Sequence, residues 1–438
     1  MISSIIFILL LIAGVTLFTL NIRKVRRNIL LGKEIDRANQ PKKRLSVMAR
    51  VALGQSKMVT KPIPALLHIF VYVGFVIINI EVIEMFIDGI FNTHRFLSFT
   101  GSFYSFLIAS FEILAFLVTL GCVLFLIRRN IIHVKRLISK ELNGWPKTDA
   151  NLILITEILL MSAFFIMNAS DAELLVRGNP HYNVAFSNPI SQFITPLLTG
   201  LSENSLIIIE RSCWWFHIVG IIAFLNYLPY SKHFHILLAF PNVYFSNLKP
   251  KGEFTNLASV TNEVKAMLDP TYTPPVSVVD GTPEVLRFGA KDVTDLTWKQ
   301  LLDSYTCTEC GRCTEVCPAN ITGKLLSPRK IMMSTRDRLE EVGRNIDKNK
   351  GELKDDGKAL FGDYITPEEL WACTTCNACV QACPVDIDPL SIIIDIRRYA
   401  VMEQSAAPAE LNAMFTNTEN NGAPWQFSQA DRLNWVKE

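Results

Sequence analysis

Hydrophobic positions crowd the first part of the chain. Before residue 245 they form five nearly unbroken runs, about 2–20, 63–87, 105–127, 151–169 and 206–228. Each is long enough to cross a bilayer as a helix. Beyond 245 the runs stop. Residues 249–291 collect Pro, Gly, Thr and Lys, including Lys249-Pro250-Lys251-Gly252 and Thr273-Pro274-Pro275, and read as a linker. Asp295-Leu296-Thr297-Trp298 to Leu302 predicts a capped amphipathic helix. A second is predicted over 328–342, and a third starts near Thr366-Pro367-Glu368-Glu369. The pattern is all-α: a five-helix membrane domain (1–245), a linker (246–294), a helical domain (295–404) and a tail (405–438).

Charge orients the spans. The loop 21–62 carries twelve Lys/Arg and the loop 128–149 six, whereas 88–104 and 170–205 carry one each, Arg95 and Arg177. By the positive-inside rule the basic loops face the cytoplasm, so the N-terminus lies outside and the C-terminal half inside, as in a bacterial inner-membrane protein. The first span has no basic n-region and no small-residue cleavage site, so it reads as an uncleaved anchor. The basic loop 21–62 also suits anionic lipid. The absence of a Gly-rich nucleotide loop gives no NAD, FAD or ATP site, and nothing points to nucleic acid.

Cysteines supply the chemistry. Eight of the ten lie in two runs, Cys307-x2-Cys310-x2-Cys313-x3-Cys317-Pro318 and Cys373-x2-Cys376-x2-Cys379-x3-Cys383-Pro384. This spacing ligates [4Fe–4S] clusters, and in two-cluster ferredoxins the fourth cysteine serves the other cluster. One cluster is therefore assigned Cys307, Cys310, Cys313 and Cys383, and the other Cys373, Cys376, Cys379 and Cys317. Zinc sites pair their ligands differently, and disulfides need an oxidising compartment. Cys122 and Cys213 lie in spans and read as apolar filler.

Histidines and carboxylates within the spans add a second layer. His68 lies near the cytoplasmic start of the second span, His217 inside the fifth, and His235 just past its end. His68 and His235 suit two axial ligands of one b-type haem. His217 is a candidate for a second haem without an evident partner, eighteen residues or about 27 Å from His235 if the helix continues. Glu81, Glu84, Glu112 and Glu210, with Arg211, fall in the outer halves of their spans and are candidates for proton or quinone work. Glu157 is a weaker candidate. His94 and His181 lie in outer loops; they could fold back as a ligand, but read first as surface residues.

The first 245 residues resemble the membrane cytochrome b subunit of respiratory nitrate reductase and its relatives in heterodisulfide reductase and sulfite-reductase-associated complexes. The resemblance rests on the five spans, the histidines of the second and fifth, and Pro229-Tyr230-Ser231-Lys232 to His235 with Pro241-Asn242. It implies haem b. Nitrate-reductase members have two histidines on each of those helices; here Ile78 stands where the second would fall. The 55 residues between the cysteine runs, with Thr366 to Trp371 and Asp295 to Gln300, resemble the helical ferredoxin domain of heterodisulfide reductase and succinate dehydrogenase-type subunits. The stretch Asn420 to Trp435 resembles a connector that in fused relatives leads to a domain with C-C-G repeats. The expectation is a membrane electron-transfer subunit joining quinone, haem and two clusters to a separate soluble, cysteine-rich catalytic protein. The competing expectations are a polyferredoxin-type assembly factor and a membrane redox sensor.

Overall fold

In the computed structural model, which describes residues 2–273, 278–279, 282–283 and 287–436, the chain is built of helices. Extended pairing among the described residues is limited to one two-residue antiparallel pairing, Val278–Val279 with Thr282–Pro283, and two isolated bridges, Lys33 with Thr297 and Phe361 with Ile365. Five helices are long and apolar enough to cross a membrane: Ile2–Ile29, Pro62–Phe91, Ser102–Asn130, Trp145–Val176 and Glu203–Tyr230. Each contains one of the predicted runs. All their backbone bonds close within the helix, as the bilayer interior demands. Many apolar side chains face outward, among them Leu9 and Ile83, which in water would be costly and in lipid is not. This is a membrane protein.

Two units are distinguished. One comprises Met1–Arg27, Gln40–Tyr244 and Tyr305–Gly311; the other comprises Asn28–Asn39, Phe245–Ser304 and Arg312–Glu438. In the first, the second spanning helix packs on the third, the third on the fourth and the fourth on the fifth. Phe7, Ile78, Tyr104, Ile108, Phe164 and Ile218 lie in the core between them. Close approach is set by small residues: a Cβ at Gly74 would collide with Val118 Cγ2, and one at Gly14 with Ile222 Cγ2. Cys122 is buried in this core and Cys213 packs against it.

The fifth helix does not run on to His235. Its regular part, Glu203–Tyr227, gives way to 3-10 turns at Leu228–Tyr230 and Lys232–Phe234, and a new helix starts at His235–Tyr244. Pro229 supplies no N–H to continue the ladder, and Ser231 is extended (φ −117°, ψ 149°). The axial distance expected for a continuous helix between His217 and His235 therefore does not apply.

In the second unit, Pro328–Lys348 packs against Pro389–Met402, burying Ile331, Met332, Leu339, Ile392, Ile393 and Ile396. Local signals fix the starts of these helices. Ser327 caps Lys330 N–H, Asp388 caps Ser391 N–H, and Thr366 with Glu369 forms a reciprocal capping box. The helix predicted from Asp295 begins later, at Trp298–Thr306. Asp295 instead closes a capping box with Asp292 on the preceding 3-10 turn, while Thr297 exchanges bonds with Gln300. The linker region contains a helix, Ala258–Leu268. Pro274 and Pro275, in the predicted linker, lie outside the described residues. The predicted tail contains a helix at Ala409–Asn421.

Candidate functional site

The two cysteine runs share a backbone design. Two positions after the first cysteine, Glu309 (φ 56°) and Thr375 (φ 55°) are left-handed; four after it, Gly311 (φ 75°) and Asn377 (φ 60°) are too. Non-glycine residues seldom adopt this conformation. Alternating hand turns successive N–H groups to one side and makes an anion-binding concavity, which suits a sulfide-rich cluster. The third cysteine of each run then sits in a short helix, Arg312–Glu315 or Ala378–Ala382, and these two helices pack together. Each run ends at a Cys-Pro that stops the turn.

None of the ten cysteines is in a disulfide. Among the described residues no group of three or more His, Cys, Asp or Glu side chains stands close enough to hold one metal ion. A cubane, with one ligand on each of four irons, spreads its sulfurs more widely. In the second unit the thiols of Cys317, Cys373, Cys376 and Cys379 are electrostatic neighbours. Burial pushes the Cys379 thiol up to about 12, with Asp388, Cys373 and Cys317 adding to it. Burial also raises Cys373, with contributions from Cys317 and Cys376. Backbone N–H groups already aim at sulfur: Thr375 N–H donates to Cys373 Sγ (3.4 Å) and Ile387 N–H to Cys383 Sγ (3.3 Å). Arg397 donates to the Leu370 and Cys373 carbonyls and lies 4.9 Å over the Trp371 ring, clamping the turn before the second run.

The first unit gathers three histidines where the sequence offered two. His233, which sequence reading passed over, lies with its ring centroid 5.7 Å from that of His235. Burial, with His235 and His68 as like-charge neighbours, lowers it to about 3. Burial lowers His235 as well. Both are therefore neutral imidazoles at neutral pH. His235 Nδ1 bonds the Lys232 carbonyl at 3.0 Å, which leaves Nε2 as the available lone pair. A metal-ligating histidine is commonly held this way, with its other ring nitrogen donating to a carbonyl. His217 is buried and bonds the Leu160 carbonyl through Nδ1 at 3.1 Å. Ile78 is core, so the second helix offers no histidine there. Beside the histidines, Asp149 accepts from Tyr227, Ser231 Oγ (2.7 Å) and Lys232 N–H (3.1 Å). Lys232 Nζ is ion-paired with Glu309, the left-handed residue between Cys307 and Cys310. Burial lowers the Lys232 ammonium's pKa, against the pull of Glu309 and Asp149.

At the other end of the second helix lies a polar cavity of about 60 Å³, lined by Glu81, Asp88, His94, Asp171, Glu210 and Arg211 among others. A folded-back loop builds it. Asn92 ends the helix in the left-handed region, and the Asp88 carboxylate accepts from Thr93 Oγ1 and from the N–H groups of Arg95 and Phe96. This turns Arg95 inward. Its guanidinium donates to Asp171 (2.5 Å), Asn168 (2.8 Å) and Tyr104 (3.1 Å). Burial opposes its charge, but Asp171, Tyr104 and Glu81 hold it well above its usual range. Arg95 is thus buried, not the loop charge the sequence suggested. His94, expected at the surface, lies only 10% exposed, with Nε2 3.3 Å from Asp171. His181 is exposed, its ring tilted 43° to that of His94 with centroids 5.1 Å apart.

Of the other predicted carboxylates, Glu84 accepts from Leu97 N–H and Tyr104. Glu112 accepts from Asn168, from Ile190 and Ser191 N–H, and from Ser191 Oγ, which makes it a fastener of that turn. Glu210 is held by Arg211 and accepts from Tyr182 at 2.9 Å. Glu157 lies outside the cavity lining.

Comparison with known proteins agrees with the cysteine geometry. The 4Fe-4S dicluster domain family matches residues 306–387. The chain is 28% identical over 464 residues to the probable iron-sulfur-binding oxidoreductase FadF of Bacillus subtilis (strain 168), covering 100% of this chain and 61% of that protein. It is 26% identical over 437 residues to the EtfAB:quinone oxidoreductase of Syntrophomonas wolfei, covering 95% of this chain and 57% of that protein. A shorter match, 34% over 107 residues, is to one component of the ferredoxin/F(420)H(2)-dependent CoB-CoM heterodisulfide reductase of Methanosarcina acetivorans, covering 24% of this chain and 52% of that component. The chain spans about three fifths of the length of the first two relatives. No solved structure matches it. These likenesses support an iron–sulfur electron-transfer role.

Proposed function

We propose that this chain carries electrons between a membrane quinone pool and a soluble partner, through two [4Fe–4S] clusters and a b-type haem. The observation that carries the reading is the repeated left-handed geometry of the two cysteine runs on a chain that also has five spanning helices. The clusters and haem supply one-electron transfer when bound. Cys307, Cys310, Cys313 and Cys383 hold one cluster; Cys373, Cys376, Cys379 and Cys317 hold the other. The electrostatic coupling of Cys317 to Cys373 and Cys379 supports this crossed set.

His68 and His235 hold the haem, with the Lys232 carbonyl fixing the His235 tautomer. His217 is a candidate ligand for a second haem, and its bond to Leu160 would orient it in the same way. Lys232 and Glu309 pair a buried cation beside the histidines with an anion inside the first cysteine run, which holds Cys307 and Cys310 in place. The basic loops 21–62 and 128–149 lie on the cytoplasmic side of a bacterial inner membrane, and the N-terminus lies outside. Glu81, Glu112, Glu210 and Arg211 belong to the quinone and proton end of the molecule. The names of the relatives support quinone as the membrane substrate and, as the soluble partner, a protein of the EtfAB kind or a heterodisulfide-reductase-like protein; the resemblance of the stretch Asn420 to Trp435 adds C-C-G repeats to the latter.

The test is the optical spectrum of the purified protein. A b-haem band that appears on reduction is expected, and His235→Ala should abolish it with iron–sulfur content retained. A wild-type protein with clusters and no haem would refute the haem half and favour an assembly-factor role.

A further inference from the structure

Most polar groups around the cavity are already occupied. Asp88 is consumed by the loop it folds back, Glu84 by Leu97 and Tyr104, Glu210 by Arg211 and Tyr182, and Arg95 by its three acceptors. Three residues lining the cavity each keep a buried atom with no hydrogen-bond partner among the described residues: Asp171, whose Oδ1 is open while Oδ2 serves Arg95 and His94, and two whose open atoms are not tied to a neighbouring cation, Glu81 and His94. Glu81 is 3% exposed, and its Oε2 is buried with no hydrogen-bond partner among the described residues. His94 Nδ1 is likewise buried and unpartnered. Burying a polar atom without a partner is costly, so such an atom points to something outside the chain that completes it.

The two groups are suited to the same task. Asp171 Oδ2 faces His94 Nε2, so that nitrogen carries the hydrogen and Nδ1 presents a lone pair to the cavity. Glu81 presents a carboxylate oxygen. Two proton acceptors of different chemistry thus share one cavity. It lies thirteen residues along the helix from His68, or about 20 Å. His181 is exposed and its ring lies 5.1 Å from that of His94, centroid to centroid, so it joins the imidazole to a solvent-facing side chain.

We propose that this cavity binds the ring of a hydroquinone or quinone, and that Glu81 and His94 exchange its two protons. The proposal rests on the quinone-linked reading above and narrows it to one carboxylate, adding a histidine that the sequence left at the surface. In the oxidising direction both O–H bonds of the hydroquinone break. One proton goes to Glu81 and the other to His94 Nδ1, and two electrons leave to the one-electron iron–sulfur and haem acceptors of the same protein, giving quinone. The reverse direction uses the same groups. Asp171 is a positioning residue, holding the imidazole in the acceptor tautomer. His181 passes the His94 proton to solution.

The test uses full-length, cluster-loaded protein in detergent, with Glu81→Gln and His94→Asn, both close in shape to the native residues. Cluster reduction by a short-chain hydroquinone is followed beside reduction by dithionite, and binding of 2-heptyl-4-hydroxyquinoline N-oxide is measured by its fluorescence quenching. Each variant is expected to slow hydroquinone-driven reduction at least tenfold, to weaken binding of the probe, and to leave iron content and dithionite reduction unchanged. Variants that match the wild type in both rate and probe binding overturn the proposal. If hydroquinone fails to reduce the wild-type protein, the quinone-linked reading itself is lost. The probe then still judges the cavity, since undiminished binding in Glu81→Gln and His94→Asn rejects it.

Discussion

Arg95→Ala should be among the most damaging single changes in the membrane half. The guanidinium is 5% exposed and Asp171 is 1% exposed. Removing the cation leaves the Asp171 anion with no paired countercharge among the described residues, only the His94 Nε2 donor at 3.3 Å, and it strips Asn168 and Tyr104 of a donor. Breaking a buried ion pair from one side costs about 3–5 kcal/mol. For a unit of this size that corresponds to a fall of roughly 6–20 °C in melting temperature. The assay is thermal unfolding of the detergent-purified protein, with Arg95→Lys and Arg95→Met/Asp171→Asn alongside. Lysine keeps the charge but cannot reach three acceptors in the geometry of the planar fork, so it should fall between. The double variant removes both charges and should recover much of the loss, because the cost lies mainly in the orphaned anion. An unchanged melting temperature in Arg95→Ala, or a double variant worse than the sum of its parts, would refute the reasoning.

The remaining predictions concern the cysteine and histidine sites and their supports. Cys317→Ser should disturb the cluster nucleated by the second run and spare the first; EPR showing the reverse would overturn the crossed assignment. His235→Ala should remove the haem band and leave about eight irons per chain, the content of two [4Fe–4S] clusters. Gly289→Ala should destabilise the second unit by at least about 2 kcal/mol, because Gly289 is left-handed and a Cβ there would collide with the Asp395 carbonyl oxygen; denaturant unfolding reads this. The bond from Arg338 holds the Asp356 carboxyl below its usual range. Its contribution is therefore complete above the unfolded value of about 4 and fades as pH falls through the lower folded value. Stability that rises with acidification in the wild type but not in Asp356→Asn would contradict this.

Periodicity and spacing carried the large features. Apolar runs long enough to span, with most basic charge gathered in the loops between them, point to helices, and the cysteine spacing points to a cluster domain by itself. Loops were less legible. His94 and Arg95 lie in a polar stretch that reads as surface, because local sequence does not reveal that Asp171, seventy-six residues beyond Arg95, waits to pair with it. The clue was the unpaired Asp171 within an apolar helix, which demands a cation. His233, two positions before His235, reads as part of a loop; the break at Pro229 and Ser231 brings the two rings together. Glu112 is a proton or quinone candidate by its place in a span, but the four donors that converge on it come from distant parts of the chain and leave no mark in the sequence around it. In the second unit the helix starts at Trp298 and not at Asp295, since two capping residues, Asp292 and Thr297, follow each other and the sequence shows only that capping residues are present.

The most direct measurement is anaerobic reduction of the purified, full-length protein by hydroquinone, read by EPR at the iron–sulfur centres. Appearance of reduced [4Fe–4S] signals, lost together with the haem band's response when the histidine ligands are removed, is the expected result. Clusters that dithionite reduces but no hydroquinone reaches, and that no quinone reoxidises, would contradict a route between the membrane pool and the cysteine sites.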